Sequence, residues 1–247
     1  MTPEPAAAAR LDVGVVGAGR VGAVLGSALN RAGHAVVAVS AVSDASLARA
    51  ERLLPGIPVR EVPDVVGVAD LVLLAVPDET LPGLVAGLSA TGALHPGQVL
   101  VHTSAGFGIA VLEPAIQHDV LPVALHPAMV FNGTRSDLDR LAGVSFAVTT
   151  VKSLRPLGEA LVIEMGGEPV WVEEEDRPAY AAALAAVCEG VEGVVAAAAR
   201  VLVDCGLDQP SRILAPLVSS AFEHAIAPGS VVRERPAGTP DDAEGPE

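Results

Sequence analysis

The sequence has few aromatic residues, few cysteines and a single lysine. Aromatic side chains make up 2% of the 247 residues and hydrophobic ones 51%, so we expect a core of Ala, Val and Leu. Cys188 and Cys205 fall on one predicted helix about 25 Å apart, which excludes a disulfide between them. Lys152 lies between a predicted strand and a helix, so Schiff-base catalysis would depend on one unpromising residue.

Basic residues are also scarce. The chain has 15 Lys and Arg against 30 Asp and Glu, which gives a formal net charge of -15. Such a charge repels a nucleic-acid backbone and an anionic membrane surface, so neither is an expected partner. A small anionic cofactor remains compatible, because backbone N–H groups at the start of a helix bind phosphate whatever the net charge of the protein.

Long uninterrupted apolar runs and metal-ligand patterns are absent from the sequence as well. The most apolar stretch, residues 181–203, is interrupted by Glu189, Glu192 and Arg200, so it is not predicted to span a membrane. Residues 1–10 have no signal-peptide pattern, and we interpret them as a flexible leader of a cytoplasmic protein. The six histidines and two cysteines lack metal-ligand spacing, so no metal site is predicted.

Strand and helix patterns alternate from residue 11 onward. Residues 11–16 are an apolar run that ends in glycines, residues 20–32 have a helical pattern, and residues 35–40 are rich in β-branched side chains. Further strands are predicted at residues 70–76, 99–103, 120–125, 146–150 and 169–172, with helices at 44–54, 109–118 and 154–165. This alternation predicts an α/β protein with a Rossmann-type, doubly wound, mostly parallel sheet.

The pattern changes after residue 172 and predicts a small C-terminal all-α domain. A long helix through about residue 204 is followed by a helix at residues 211–227. One stripe of the long helix is apolar and is predicted to be buried: Tyr180, Leu184, Val187, Val191, Val194, Ala198 and Val201. Two or three helices cannot close a strong core alone, so we expect docking on the first domain or on a second subunit, and hence a homodimer through these helices.

The predicted organisation has four parts. These are a flexible leader (1–10), a dinucleotide-binding Rossmann domain (11–172), a helical dimerisation and substrate domain (173–227) and a disordered acidic tail (228–247). The tail is rich in Pro, Gly, Asp and Glu and has little apolar surface to bury, which is typical of disorder.

The glycine motif Gly17-Ala18-Gly19-Arg20-Val21-Gly22 directly follows the first strand and opens the first helix. In this context Gly17 allows the tight turn, Gly19 lets a pyrophosphate approach the backbone, and Gly22 permits close packing of helix on strand. The motif therefore predicts a nicotinamide dinucleotide cofactor. A glycine-rich turn without a ligand is the alternative.

The end of the second strand bears on the choice between NADP and NAD. NAD sites usually have an Asp or Glu there that binds the ribose hydroxyls, whereas this chain has Ser40, with Ser43 nearby. Because an acidic group would repel a 2′-phosphate, the serines favour NADP, with Arg20 or Arg49 as a charge partner. NAD remains the alternative.

Substrate is expected beyond the carboxyl ends of the parallel strands. His126 follows a predicted strand there and is the predicted proton donor, while Ser104 is predicted to bind the substrate. A hydrogen-bonded loop histidine and a turn-forming serine are the alternatives. Asp78 is interpreted as a helix cap, and His102 and Tyr180 as packing residues.

Four motifs carry a resemblance to a known family: "LVLLAVPDE" at residues 71–79, "VHTSAG" at 101–106, "ALHPAM" at 124–129 and "RPAY" at 177–180. With the glycine turn, they make residues 11–222 resemble bacterial Rossmann-like oxidoreductases with a C-terminal helical domain of unknown function. That family is similar to pyrroline-5-carboxylate reductases, deazaflavin-dependent NADP reductases and β-hydroxyacid dehydrogenases.

The resemblance implies a helical dimerisation domain and a substrate site near Ser104 and His126. It also implies a cofactor cleft formed by Gly17, Gly19, Gly22, Ser40, Ala75, Val76 and Pro77. The chain departs from its relatives at Ala181 and Glu189, where they commonly have His and a later Asn, and it lacks the Lys and Asn pair of β-hydroxyacid dehydrogenases.

Together these features predict an NADP-dependent reductase that moves hydride between the cofactor and a C=O or C=N carbon of a small metabolite, such as a keto or imino acid. A dinucleotide-binding sensor or scaffold that has lost catalysis is the alternative, because the polar residues of the long helix differ.

Overall fold

In the computed structural model, which describes residues 10–227, seven strands form one sheet in the order β2-β1-β3-β4-β5-β6-β7. The strands are β1 (Asp12–Val16), β2 (Ala35–Ser40), β3 (Leu71–Leu74), β4 (Val99–His102), β5 (Leu121–Pro127), β6 (Ser145–Thr150) and β7 (Glu168–Trp171). Strands β1 to β5 pair in parallel, β6 runs antiparallel to β5, and β7 is parallel to β6. The predicted doubly wound, mostly parallel α/β fold is confirmed.

The helices follow the strands in the alternating order that the sequence predicts. They are α1 (Arg20–Arg31), α2 (Asp44–Leu53), α3 (Val62–Gly67), α4 (Leu81–Thr91), α5 (Glu113–Ile116), α6 (Arg135–Arg140), α7 (Arg155–Glu164), α8 (Arg177–Asp204) and α9 (Pro210–Ile226). Short 3-10 turns precede α5, α7 and α8. Most of the predicted leader and all of the predicted tail, residues 228–247, lie outside the described residues.

Successive strand residues alternate between two buried layers, as expected for a sheet covered on both faces. On one face Val15 and Leu73 pack with Leu25 of α1. On the other face Leu74 packs with Val85 of α4. The carboxyl ends of β1 to β5 therefore meet at one edge, where the predicted site residues lie.

The structure differs from the sequence prediction in three places in the region of the sheet. Helices α3 and α6 are not predicted, because six residues are less than two turns and show little periodicity. Strand β5 continues to Pro127, so His126 lies within the strand and not after it. The cause is pairing with β6, which matches His126 with Ala147.

The chain divides into two compact units, Met1–Leu184 and Ala185–Glu247, and the second contains most of α8 and all of α9. The prediction that the apolar stripe of α8 is buried is wrong for the single chain, since Val187, Val191, Val194 and Val201 are 41–71% exposed. The two cysteines are free and exposed.

The helical segment Glu174–Asp204 is long and apolar enough to cross a membrane by length and composition alone. Core helices of soluble proteins pass the same test. Within residues 10–227, no group of three or more His, Cys, Asp or Glu side chains is arranged to hold a metal ion.

Candidate active site

The glycine turn between β1 and α1 has two glycines that shape it and one that leaves space. Gly17 has a φ of +93°, and a Cβ atom there would lie 2.7 Å from the carbonyl oxygen of Ala75. A Cβ atom at Gly22 would overlap the carbonyl oxygen of Gly17. Gly19 has a φ of -69°, and a Cβ atom there would come no closer than 4.0 Å to these backbone atoms. A side chain at Gly19 would therefore enter open space and not the turn itself.

Ser40 holds the glycine turn from the end of β2. Its Oγ accepts a hydrogen bond from the Gly17 N–H at 3.1 Å, and its carbonyl oxygen accepts one from the Ala18 N–H at 2.8 Å. Helix α1 begins after Gly19 with no side-chain cap. The N–H groups of its first turn lack acceptors within the helix, and such helix starts bind phosphate.

A cleft of about 450 Å³ opens at this turn, a size typical of small-molecule sites. Seven of the predicted cofactor residues line it: Gly17, Ala18, Gly19, Ser40, Ala75, Val76 and Pro77. The other three, Arg20, Val21 and Gly22, form the first turn of α1. Because Gly19 leaves open space at the turn and the start of α1 has no side-chain cap, the residues present fit a dinucleotide.

Three arginines gather beside the turn. Arg49 of α2 donates from Nη1 to the carbonyl oxygen of Ala18 at 3.5 Å, and its Nε is buried without a partner among the described residues. Arg20 and Arg49 both lie against Gly133, and Arg52 donates from Nη2 to the Gly133 carbonyl oxygen at 3.2 Å. Cationic groups therefore adjoin the place where a cofactor's phosphates would lie.

Ser104 and His102 shape the loop that follows β4. The Ser104 Oγ accepts hydrogen bonds from the N–H groups of Gly106 and Phe107, each at 3.2 Å. His102 accepts at Nδ1 from the Ser104 N–H at 3.2 Å and donates from Nε2 to the Gly108 carbonyl oxygen at 2.8 Å. Burial is the main cause that lowers the pKa of His102 to about 4, so its ring is neutral at pH 7.

These contacts make His102 the satisfied core residue that the sequence analysis predicts. They also give Ser104, which is 6% exposed, a turn-forming role. Substrate binding by Ser104 stays a prediction.

Two acidic residues adjoin the same loop. Glu174 accepts from the N–H groups of Ile109 at 2.7 Å and Ala110 at 3.1 Å, which fastens the far end of the loop. The Asp78 Oδ2 lies 3.8 Å from the position of a Cβ atom at Gly106. The prediction that Asp78 caps a helix is wrong, because Thr80 occupies the cap position of α4.

His126 contacts Tyr180, which lies in the first turn of α8. The distance between His126 Nδ1 and Tyr180 Oη is 3.0 Å. Burial, and after it the charge of Arg177, lower the pKa of His126 to about 4. The ring is therefore neutral at pH 7, and no partner of its Nε2 is found among the described residues.

Arg177 is fully buried next to this pair. It donates from Nε to Thr149 Oγ1 at 2.7 Å, from Nη1 to the Ser104 carbonyl oxygen at 3.3 Å, and from Nη2 to the carbonyl oxygens of Ala124 and Ala147 at 3.2 and 3.1 Å. No carboxylate lies within 4 Å of the guanidinium in the described part of the chain. The start of α8 is thereby fixed to β5, to β6 and to the loop that follows β4.

Sequence reasoning misses Arg177 and Tyr180 as site residues. The apolar stripe of the long helix favours packing for Tyr180, and no pattern marks a lone arginine as buried. The available signal is their spacing in "RPAY", since residues three apart share one face of a helix.

Comparison with known proteins agrees with this architecture. Residues 2–127 match the Rossmann-like domain family, and the chain belongs to this family. Residues 144–231 match a domain of unknown function, DUF2520. The resemblance drawn from the sequence motifs is thereby confirmed. No curated protein matches the chain.

Solved structures from several bacteria share the fold. A protein from Bacteroides fragilis that is assigned as an NADP oxidoreductase superposes with a TM-score of 0.76 at 18% identity, over 90% of this chain and 82% of that one. An imine reductase from Pseudomonas sp. superposes with a TM-score of 0.66 at 19% identity, over 88% and 75%. A pyrroline-5-carboxylate reductase from Coxiella burnetii gives 0.61 at 16% identity, over 88% and 80%. The chain therefore shares the fold of these three proteins.

Proposed function

We propose that this protein is an NAD(P)-dependent oxidoreductase that uses NADPH to reduce a C=O or C=N group of a small metabolite, such as a keto or imino acid. The observation that carries the proposal is the cleft at the uncapped start of α1, where Gly19 leaves room for a pyrophosphate. The names of the structural neighbours, among them NADP oxidoreductase and imine reductase, support it. A bound reduced nicotinamide supplies the hydride.

Two features support NADPH over NADH. Strand β2 ends in Ser40, which bonds the glycine turn, and not in an acidic residue. Arg20, Arg49 and Arg52 surround the adjoining Gly133, so positive charge is available for phosphate groups.

His126 and Ser104 do not line the cofactor cleft, and in this proposal they bind the substrate beside it. His126 lies on β5, which is separated from β3 by one strand in the sheet. The axes of β3 and β5 are therefore about 10 Å apart, and the residues that follow β3 line the cofactor cleft. Its free Nε2 can hydrogen bond to the oxygen or nitrogen that gains a proton in the reduction. The buried charge of Arg177 favours a substrate that carries a carboxylate.

Ligand-induced thermal stabilisation and turnover test this function together. NADPH at about 100 times its Kd is expected to raise the melting temperature by about 5 °C, and more than NADH does. A panel of keto and imino acids is then expected to give NADPH oxidation. Binding without turnover would favour the sensor or scaffold alternative, and no stabilisation by either cofactor would contradict both functions.

A homodimer through α8 and α9 belongs to the same proposal. A groove of about 620 Å³ lies between these helices, lined by Gly190, Val191, Val194, Val195, Val218, Ser219, Ala221 and Phe222. Val194 and Phe222 are 71% and 49% exposed. Glu189, Glu192 and Arg200 on the other face of α8 fit pairing in water better than insertion into lipid, which agrees with a cytoplasmic location.

Light scattering tests the dimer. The wild type is expected to have twice the mass of one chain, and Val194→Glu is expected to be monomeric because it places a charge in an apolar interface. Val68→Glu, at an exposed valine of the first unit, is the matched control and stays dimeric. A monomeric wild type at micromolar concentration would contradict the dimer.

A further inference from the structure

The hydrogen bond between His126 and Tyr180 leaves one ring nitrogen of the histidine free. The two rings meet edge to face, with centroids 5.6 Å apart and an interplanar angle of 79°. Nδ1 is engaged by the Tyr180 hydroxyl at 3.0 Å. Nε2 has no partner among the described residues, and it is not fully buried. It is therefore accessible to a ligand.

The direction of this hydrogen bond follows from the acidity of the two groups. A phenol, with a pKa of about 10, is a stronger acid than a neutral imidazole N–H, and an imidazole nitrogen is a stronger base than a phenol oxygen. The Tyr180 hydroxyl therefore donates to Nδ1. Since a neutral imidazole carries one proton, that proton lies on Nε2.

A neutral histidine needs help to deliver a proton. If Nε2 lost its proton alone, the product would be a strongly basic imidazolate, which is unfavourable. If Nδ1 gains a proton in the same step, the ring stays neutral throughout. Tyr180 is half-buried and placed to supply that proton. Burial raises the pKa of Tyr180, and the charge of Arg177 acts in the opposite direction by favouring the phenolate.

We propose that Tyr180 is a positioning residue that holds the His126 proton on Nε2 and replaces it from its own hydroxyl group during turnover. This inference rests on the proposed reductase function. The substrate carbon gains the hydride, the electron pair of its C=O or C=N π bond moves to the oxygen or nitrogen, and that atom takes the Nε2 proton. Nδ1 takes the hydroxyl proton as Tyr180 becomes a phenolate. A water molecule then protonates Nε2 and leaves as hydroxide, while the Nδ1 proton returns to the phenolate, which restores both side chains.

Nitrogen NMR of the ligand-free protein tests the hydrogen bond without any substrate. In protein labelled with 15N-histidine, the His126 signals are assigned by their loss in His126→Gln. The wild type is expected to show a protonated Nε2 and an unprotonated Nδ1, and Tyr180→Phe a mixture of the two tautomers. A proton on Nδ1 in the wild type, or an unchanged tautomer in Tyr180→Phe, would overturn the inference while leaving the proposed function standing.

Kinetics with a substrate from the panel test the relay. Tyr180→Phe keeps the aromatic ring and is expected to lower kcat at least about tenfold with little change in KM. In a His126→Ala background the same substitution is expected to cause no further loss, because Tyr180 acts only through His126. Equal losses in both backgrounds would overturn the relay. A wild type that binds NADPH without turnover would overturn the proposed function and the relay with it.

Discussion

Replacing Gly19 with alanine is expected to lower the affinity for NADPH about 100-fold, equivalent to about 3 kcal/mol, while leaving the fold intact. The physical reason is that a Cβ atom at this position meets no backbone atom closer than 4.0 Å, so the protein itself tolerates it. The added methyl group instead occupies the space through which a pyrophosphate would approach the N–H groups of α1.

Gly87→Ala is the matched control for this substitution. Gly87 is exposed on α4, a Cβ atom there meets nothing within 4 Å, and alanine favours a helix, so both folding and NADPH affinity are expected to be kept. Affinity can be measured by titrating NADPH fluorescence. Unchanged affinity in a folded Gly19→Ala protein would show that the dinucleotide does not lie on this helix start.

The other two glycines of the turn make a poorer test. At Gly17 a side chain would strain a backbone with φ of +93°, and at Gly22 it would overlap the carbonyl oxygen of Gly17. Either change would disturb the turn itself, so a loss of binding would not separate cofactor contact from damage to the fold.

The first βαβ unit is the part of the fold that the sequence predicts best. The glycines, the helical pattern and the β-branched run place β1, α1 and β2 within one residue of their observed ends. Ser43 caps α2 at the start of the predicted helix, because a serine before a helix bonds its own first turn and needs no distant partner. Local signals of this kind can be read from neighbouring residues.

The substrate end is less predictable, since its contacts join distant segments. His126 and Tyr180 are separated by 54 residues, and their contact depends on where α8 begins relative to β5. Arg177 is a charged residue yet it is fully buried, because oxygens from β5, β6 and the loop after β4 converge on its guanidinium group. Neither arrangement follows from periodicity or composition, which describe single elements and not their docking.

Arg177 holds the start of α8 on the sheet, and replacing it with methionine is expected to lower the free energy of unfolding by about 4 kcal/mol. The methionine fills a similar volume but donates no hydrogen bond. Four acceptors next to the buried guanidinium group therefore lose their hydrogen bond from Arg177: the carbonyl oxygens of Ser104, Ala124 and Ala147 and the hydroxyl of Thr149. Such a loss is a large fraction of the stability of a typical domain, about 5–15 kcal/mol.

Urea unfolding followed by the fluorescence of Trp171, the single tryptophan, measures this loss at the β7 edge of the sheet. Thr149→Val removes the hydroxyl group that accepts from Arg177 Nε and donates to the Val172 carbonyl oxygen, and we expect it to cost about 2 kcal/mol. Arg177→Lys keeps the charge but has a single nitrogen that cannot reach all four acceptors, so its stability should lie between those of the wild type and Arg177→Met. If Arg177→Met unfolds within about 1 kcal/mol of the wild type, the guanidinium does not hold the start of α8. The position of Tyr180 beside His126 would then need another cause, because both Arg177 and Tyr180 lie in the first turn of that helix.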